Sequence, residues 1–417
     1  MLNLKLESCY LKSELEKYLI QSENNEILRK VQFGEDTYRD NLGWHEVERW
    51  AGEDSLIRLE EIAANIRKNA DVFVLIGVGG SNNAARSVIK ALQGNDGPEI
   101  IYGGNTLSPI EINRILKKVE GKSFYINCIA KNFETLEPGS SFRVLRCLLA
   151  EKYGSEAKKR IIATGTVGSK FEKLCVKEGY TFLEFPVDIG GRYSAMTNVG
   201  LLPMAVAGID IRALVGGARE MEFKLKKTGP LENPAYKYSC LRKLCWDKGY
   251  RIELLSSFDT RLRWFYKWWI QLFAESEGKD GKGIFPTAAE YSEELHSMGQ
   301  YVQEGTPFLF ESFINILDME DTKPIATDGI QDGFDYLNRK SFLEINKSAY
   351  EATRKAHSER IPCLEIQLDR LDAKCFGEMF YFFQFACYIS CRLQGVNPFN
   401  QPGVEAYKKE MFQILKR

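Results

Sequence analysis

Val72-Phe73-Val74-Leu75-Ile76, then Gly77-Val78-Gly79-Gly80-Ser81, then Asn82 to Leu92 make one stretch from which the fold can be read. The apolar run has the length and β-branched content of a strand buried on both faces. Ala84, Ala85, Val88, Ile89 and Leu92 recur at helical spacing. Strand, glycine turn and helix in that order build an anion site, because glycines admit close backbone approach and the first N–H groups of a helix lack internal partners. Ser81 adds a hydroxyl that can reach a phosphate. A βαβ unit also needs such a turn for geometry alone, so bare architecture stands beside the anion-site reading.

The turn does not complete G-x-G-x-x-G, since its sixth position is Asn82, and it lacks the G-K-[ST] ending of a nucleotide-binding P-loop. After the next predicted strand, residues 99–102, comes Gly103-Gly104-Asn105 rather than the acidic residue a ribose requires. A phosphate monoester fits better than a dinucleotide.

With 417 residues, the chain has room for two or three domains. Its 56 Lys and Arg nearly cancel 57 Asp and Glu, which argues against nucleic acid as a partner. The ten cysteines are scattered. Cys387 and Cys391 are the one tight pair, at a spacing that suits one helix face with no histidine near, so reduced core thiols and a cytoplasmic location are expected rather than a zinc site. The N-terminal Met1-Leu2-Asn3-Leu4-Lys5-Leu6-Glu7 interrupts its apolar residues with charge, and no 18-residue apolar run occurs. Neither a signal peptide nor a membrane span is expected.

Residues 1–43 read as helices and loops wrapped on the body. A helix over 54–69 leads into the first strand, and then strands at 99–102, 123–130, 160–164 and 180–185 alternate with helices at 109–118, 137–153 and 170–177. This is the pattern of a parallel sheet with helices on both faces. A break at 229–234 precedes a second alternating region, with strands at 251–256, 307–312 and 361–368, helices at 259–275 and 373–392, and an amphipathic helix at 404–415. Two α/β layers suggest a duplicated fold.

Ligands of such sheets bind beyond the carboxyl ends of the strands, where connections diverge. Besides the glycine turn, Ala130-Lys131-Asn132-Phe133-Glu134-Thr135 qualifies: Lys131 offers a charge, and Asn132 and Thr135 uncharged donors, unless this is simply a solvated loop. Gly190-Gly191-Arg192-Tyr193-Ser194 places a guanidinium after two glycines, either as a surface turn or as a donor for a developing oxyanion. Glu275 leaves a helix whose stripe of Phe265, Trp268, Trp269 and Leu272 is buried; a carboxylate against that packing has the raised pKa a general base requires. Glu277, Lys279, Asp280 and Lys282 read as a solvated charged loop. His296, one of three histidines, is either structural or catalytic, and so few make a histidine-rich metal centre improbable.

Five blocks in order resemble the glucose-6-phosphate isomerase (phosphoglucose isomerase) family in its shorter bacterial form. They are residues 76–81, 190–194, the run Glu275-Ser276-Glu277-Gly278-Lys279-Asp280-Gly281-Lys282-Gly283-Ile284-Phe285-Pro286, residues 295–300, and Asn397-Pro398-Phe399-Asn400-Gln401-Pro402-Gly403-Val404-Glu405. The resemblance implies two doubly wound, flavodoxin-like sugar isomerase domains, at 44–205 and at 206–417 with its C-terminal helix, after the 1–43 wrap. It implies interconversion of glucose 6-phosphate and fructose 6-phosphate through ring opening and an enediol(ate), in glycolysis and gluconeogenesis, with no cofactor and no metal. Gly80, Ser81, Lys131, Asn132 and Thr135 fall at phosphate-loop positions, Arg192 at that of the residue steadying the intermediate, and Glu275 at that of the base. His296 and Lys408 match residues associated with ring opening, and Gln401 lies in the substrate-side loop. A homodimer with sites near the subunit boundary is implied, in which His296 serves the neighbouring chain.

Two departures from the family pattern bear on binding. The second phosphate loop of the family begins Ser-Lys and continues with small and hydroxyl residues. Here Ala130 lacks the hydroxyl and Glu134 brings a carboxylate, which at about 4 Å from a phosphate charge opposes it by about 4 kcal/mol at an effective dielectric of about 20. Asn82-Asn83 stands where bacterial relatives usually carry an aromatic and a leucine. Besides an active isomerase of this specificity, an isomerase of wider specificity and a non-catalytic sugar-phosphate sensor remain as readings.

Overall fold

The structure, a computed structural model, describes residues 2–6 and 9–416. Met1 and Glu7 of the charged N-terminal stretch lie outside these. Ten strands form two five-stranded sheets. They are β1 (Asn3–Lys5), β2 (Val72–Ile76), β3 (Glu99–Gly103), β4 (Phe124–Ile129), β5 (Ile161–Gly165), β6 (Thr181–Glu184), β7 (Ile252–Ser257), β8 (Phe285–Glu290), β9 (Leu309–Ile316) and β10 (Cys363–Leu368). The first sheet is wholly parallel, in the order β3-β2-β4-β5-β6, with Val72 opposite Glu99 on one side and Phe124 on the other. Every residue of β2 and β4 is buried, as continuous apolar runs covered on both faces require.

The second sheet runs β1-β10-β9-β7-β8. Counted in chain order, both halves place their second, first, third and fourth strands side by side, so the expected duplication appears in strand order. The halves differ at the fifth position. In the first it is held by parallel β6; in the second by β1, which pairs antiparallel with β10 through Leu4 and Ile366. The N-terminal wrap therefore holds a strand as well as the helices Lys12–Leu19 and Ser22–Phe33, a correction to the expectation of helices and loops. β8 is likewise absent from the sequence reading; its Pro286 is tolerated because β8 is an edge strand.

Between the sheets, the helix Ala373–Gln394 is buried along nearly its whole length. It packs against Ile211–Lys227 so closely that a Cβ on Gly377 would lie 1.8 Å from the Leu214 carbonyl oxygen. The helices that follow the first strand of each half, Asn83–Leu92 and Arg263–Glu277, pack on each other: Asn83 meets Gln271 and Arg86 stacks on Trp264, so they pass in opposite directions. In the first half the strand order reverses between β2 and β4, which opens a cleft at their carboxyl ends. At the corresponding place in the second half, Asn346, Met319 and Tyr350 leave a void of only about 10 Å³. Among the described residues no helix is long and apolar enough to cross a membrane.

Candidate active site

The cleft of the first half has a volume of about 830 Å³, and Gly80, Ser81, Lys131, Asn132, Thr135, Arg192, Glu275, Gln401 and Lys408 all line it. Two helix N-termini open into it. Asn82 precedes Asn83–Leu92 and Thr135 precedes Leu136–Tyr153, and neither side chain accepts a capping hydrogen bond from its own helix. Their first-turn N–H groups and dipoles favour an anion between the two loops. The Lys131 ammonium is not a solvated surface charge. It donates to the carbonyls of Val187 (3.0 Å) and Ile189 (2.8 Å), and burial holds its pKa below the ordinary lysine value. Phe133, at a φ of +53°, stacks flat on Phe171 with ring centres 4.3 Å apart. That anchor turns Phe133 inward and leaves Glu134 lining the cleft.

The third loop reaches the first through glycine. A Cβ on Gly80 would lie 2.0 Å from the carbonyl carbon of Gly191 and 2.6 Å from the amide nitrogen of Arg192, so the two turns meet backbone to backbone. This brings Arg192 to the cleft floor. It is 3% exposed, which excludes the surface-turn reading. Its Nε donates to Ser276 Oγ (2.8 Å), Nη1 to Glu275 Oε1 (2.8 Å), and Nη2 to the carbonyls of Pro398 (2.5 Å) and Asn400 (3.3 Å). Four anchors from two segments fix the guanidinium before any substrate arrives.

Glu275 projects from the cleft side of the Arg263–Glu277 helix, whose opposite side buries Phe265, Trp268, Trp269 and Leu272 as expected. The apolar surroundings expected for the carboxylate are not what it meets. Arg192 holds Oε1, and Gln271, one helical turn earlier, donates from Nε2 to Oε2 at 3.0 Å. A cation and an amide thus fix the two oxygens of the carboxylate at the cleft. The solvated-loop reading fails for Glu277 and Lys279, while Asp280 and Lys282 are exposed as expected. Glu277 is fully buried and accepts from Arg242 Nη2 at 2.6 Å, and Arg242 also pairs with the buried Glu253. Lys279 donates to the carbonyls of Ser276 and Asn397, and Lys282 to that of Gln394. Lys279 thereby ties the end of the glutamate helix to the 397–401 loop that supports Arg192.

Gln401 and Lys408 come from the C-terminal segment, where Lys408 pairs with Glu405 at 3.0 Å on the cleft-side helix Glu405–Ile414. His296 stands apart. It lines a separate surface concavity with Leu295, Gln300 and His357 and does not meet the other candidates within its own chain. The sequence reading missed Gln271, although it lies four residues before Glu275 and so on the same helix face. Asn83, noted there only as a departure after Ser81, donates from Nδ2 to Gln271 Oε1 at 2.8 Å, a contact no spacing encodes. Among the described residues no cluster of His, Cys, Asp or Glu could hold a metal ion.

An anion-binding end, a fixed guanidinium and a carboxylate in one cleft suit proton transfer next to a carbonyl in a phosphorylated substrate. A family model described as phosphoglucose isomerase matches residues 57–417. Glucose-6-phosphate isomerase from Staphylococcus saprophyticus is 42% identical over 409 residues, covering 96% of this chain and 91% of that protein. Among solved structures, a hypothetical protein from Thermus thermophilus superposes with a TM-score of 0.92 at 23% identity over the whole of both chains. A glucose-6-phosphate isomerase from Chlamydia trachomatis gives 0.77 at 18% identity, over 94% of this chain and 78% of that one, and both likenesses concern the fold. The chain belongs to the phosphoglucose isomerase family.

Proposed function

We propose that this chain interconverts glucose 6-phosphate and fructose 6-phosphate, a step of glycolysis and gluconeogenesis, with Glu275 as the single base. The phosphate sits between the 77–81 and 130–135 loops, held by the two helix N-termini with Ser81, Lys131, Asn132 and Thr135, and this remote binding positions the reacting carbons. After ring opening, Glu275 takes the proton from C2; the electron pair of the broken C–H bond forms the C1–C2 double bond, and the carbonyl pair moves onto O1. Arg192 stabilises that oxyanion without reorganising. Glu275 then returns the proton to C1 while the O2 proton passes to O1 and C2 becomes the carbonyl carbon. Gln401 supports the sugar.

Lys408 is placed to assist ring opening from within the chain. His296 takes part only if a second copy brings its concavity to this cleft, which supports a homodimer. A cytoplasmic location follows from the same role in sugar phosphate metabolism. The observation that carries the reading is the 2.8 Å pair of Arg192 and Glu275 on the floor of a cleft into which two helix N-termini open.

The test couples glucose 6-phosphate formation from fructose 6-phosphate to a dehydrogenase. The parent should turn over and Glu275→Gln should lose several orders of magnitude. Full activity in the variant would sink the choice of base, and a folded but inactive parent at saturating substrate would sink the reaction.

A further inference from the structure

We propose that Asn83 is a positioning residue that locks Gln271, and through it the base Glu275, to the phosphate-binding helix; this rests on the reading of Glu275 above. The atoms form one line. Asn83 Nδ2 donates to Gln271 Oε1 at 2.8 Å, Gln271 Nε2 donates to Glu275 Oε2 at 3.0 Å, and Arg192 Nη1 holds the other carboxylate oxygen at 2.8 Å.

The two ends of a glutamine amide have nearly the same shape, so only their partners decide which way it points. Glu275 as a carboxylate can only accept. It therefore needs the NH₂ end of Gln271, and needs the carbonyl end to be drawn elsewhere. Asn83 does this by offering an NH₂ group to that carbonyl. Without it, the amide can rotate and set Oε1 against a carboxylate oxygen, two acceptors with no hydrogen between them.

A second contact keeps the amide in place. Gly79 has a φ of +56°, and a Cβ there would lie 2.8 Å from Gln271 Nε2. Gln271 is thus wedged between the phosphate turn on one side and the first residue of the phosphate helix on the other. A phosphate seated on that first turn braces the same backbone that orients the base.

The experiment measures Asn83→Leu, Gln271→Met and the double variant in the coupled assay, with competitive inhibition by inorganic phosphate as the readout of the anion site. Asn83→Leu frees the Gln271 amide to turn, and losing its aligned hydrogen bond to the Glu275 carboxylate predicts that kcat falls about tenfold. KM and phosphate inhibition should stay within about twofold. The double variant should be no slower than Gln271→Met alone.

An unchanged kcat, multiplying losses in the double variant, or phosphate inhibition weakened in step with kcat would each overturn the proposal. Asn83→Ser repeats the test should the leucine fail to pack. If Glu275→Gln retains turnover, the base assignment fails and takes this inference with it. If Glu275→Gln is inactive while Asn83→Leu behaves as the parent, the relay alone is wrong.

Discussion

Gly80 and Gly191 touch through their backbones: a Cβ on the first would fall 2.0 Å from the carbonyl carbon of the second. No side-chain rotation relieves such an overlap, so Gly80→Ala must push the phosphate turn and the arginine turn apart. Because Arg192 follows directly, the guanidinium leaves its position over Glu275. A displacement of about 1 Å costs on the order of 10²-fold in rate. We expect kcat for Gly80→Ala to fall by about that factor, with a lowered melting temperature. Gly190→Ala is the control, since nothing lies within 4 Å of its Cβ and its φ of −72° suits any residue. Equal losses in both variants would show that contact between the turns is unimportant.

Glu134 lines the cleft into which the N-termini of Asn83–Leu92 and Leu136–Tyr153 open, the proposed seat of the phosphate. Replacing it by threonine removes a negative charge from the anion site. We expect inhibition by inorganic phosphate to tighten about threefold to tenfold, kcat to stay within twofold, and the gain to shrink with added salt, since the cleft is open to screening ions. Phosphate inhibition identical in parent and variant would mean that the carboxylate exerts no net field on the ligand.

Burial holds the pKa of His45 down at about 3, with the charge of Lys226 as a smaller cause; the ring lies against Trp44 and Phe385. Below its ordinary pKa of about 6.5 the unfolded chain binds a proton there that the folded chain refuses, so stability falls as pH falls. Between pH 6.5 and 4.5 the loss is about 2.3 kcal/mol, somewhat less than two full pH units at about 1.4 kcal/mol each because the unfolded histidine is only half protonated at pH 6.5. Urea titrations across that range should show the slope, and His45→Phe should flatten it by this share. An unchanged slope in the variant would place the acid sensitivity elsewhere.

The first sheet was legible because parallel strands covered on both faces read as unbroken apolar runs, and each predicted strand there lies within a residue or two of its observed limits. β8 escaped because Pro286 and polar neighbours disguise an edge strand, and β1 because three residues pairing across the whole length of the chain leave no local pattern. In the site, the glycine turns announced themselves. Glu277 did not: its charge suggested solvent, while its partner Arg242 lies 35 residues earlier on another helix. The direction of Glu134 depended on Phe133 stacking against Phe171, a contact that no spacing along the sequence encodes.

The filled crevice in the second sheet gives the repeated strand order its meaning. A duplicated fold is not here a duplicated receptor. One half holds the open cleft; the half without one lends the helix carrying Glu275, which runs in the opposite direction alongside the helix Asn83–Leu92 of the other. On the proposed reading each half is thus chemically incomplete, and the reaction belongs to the seam where grip and reagent meet.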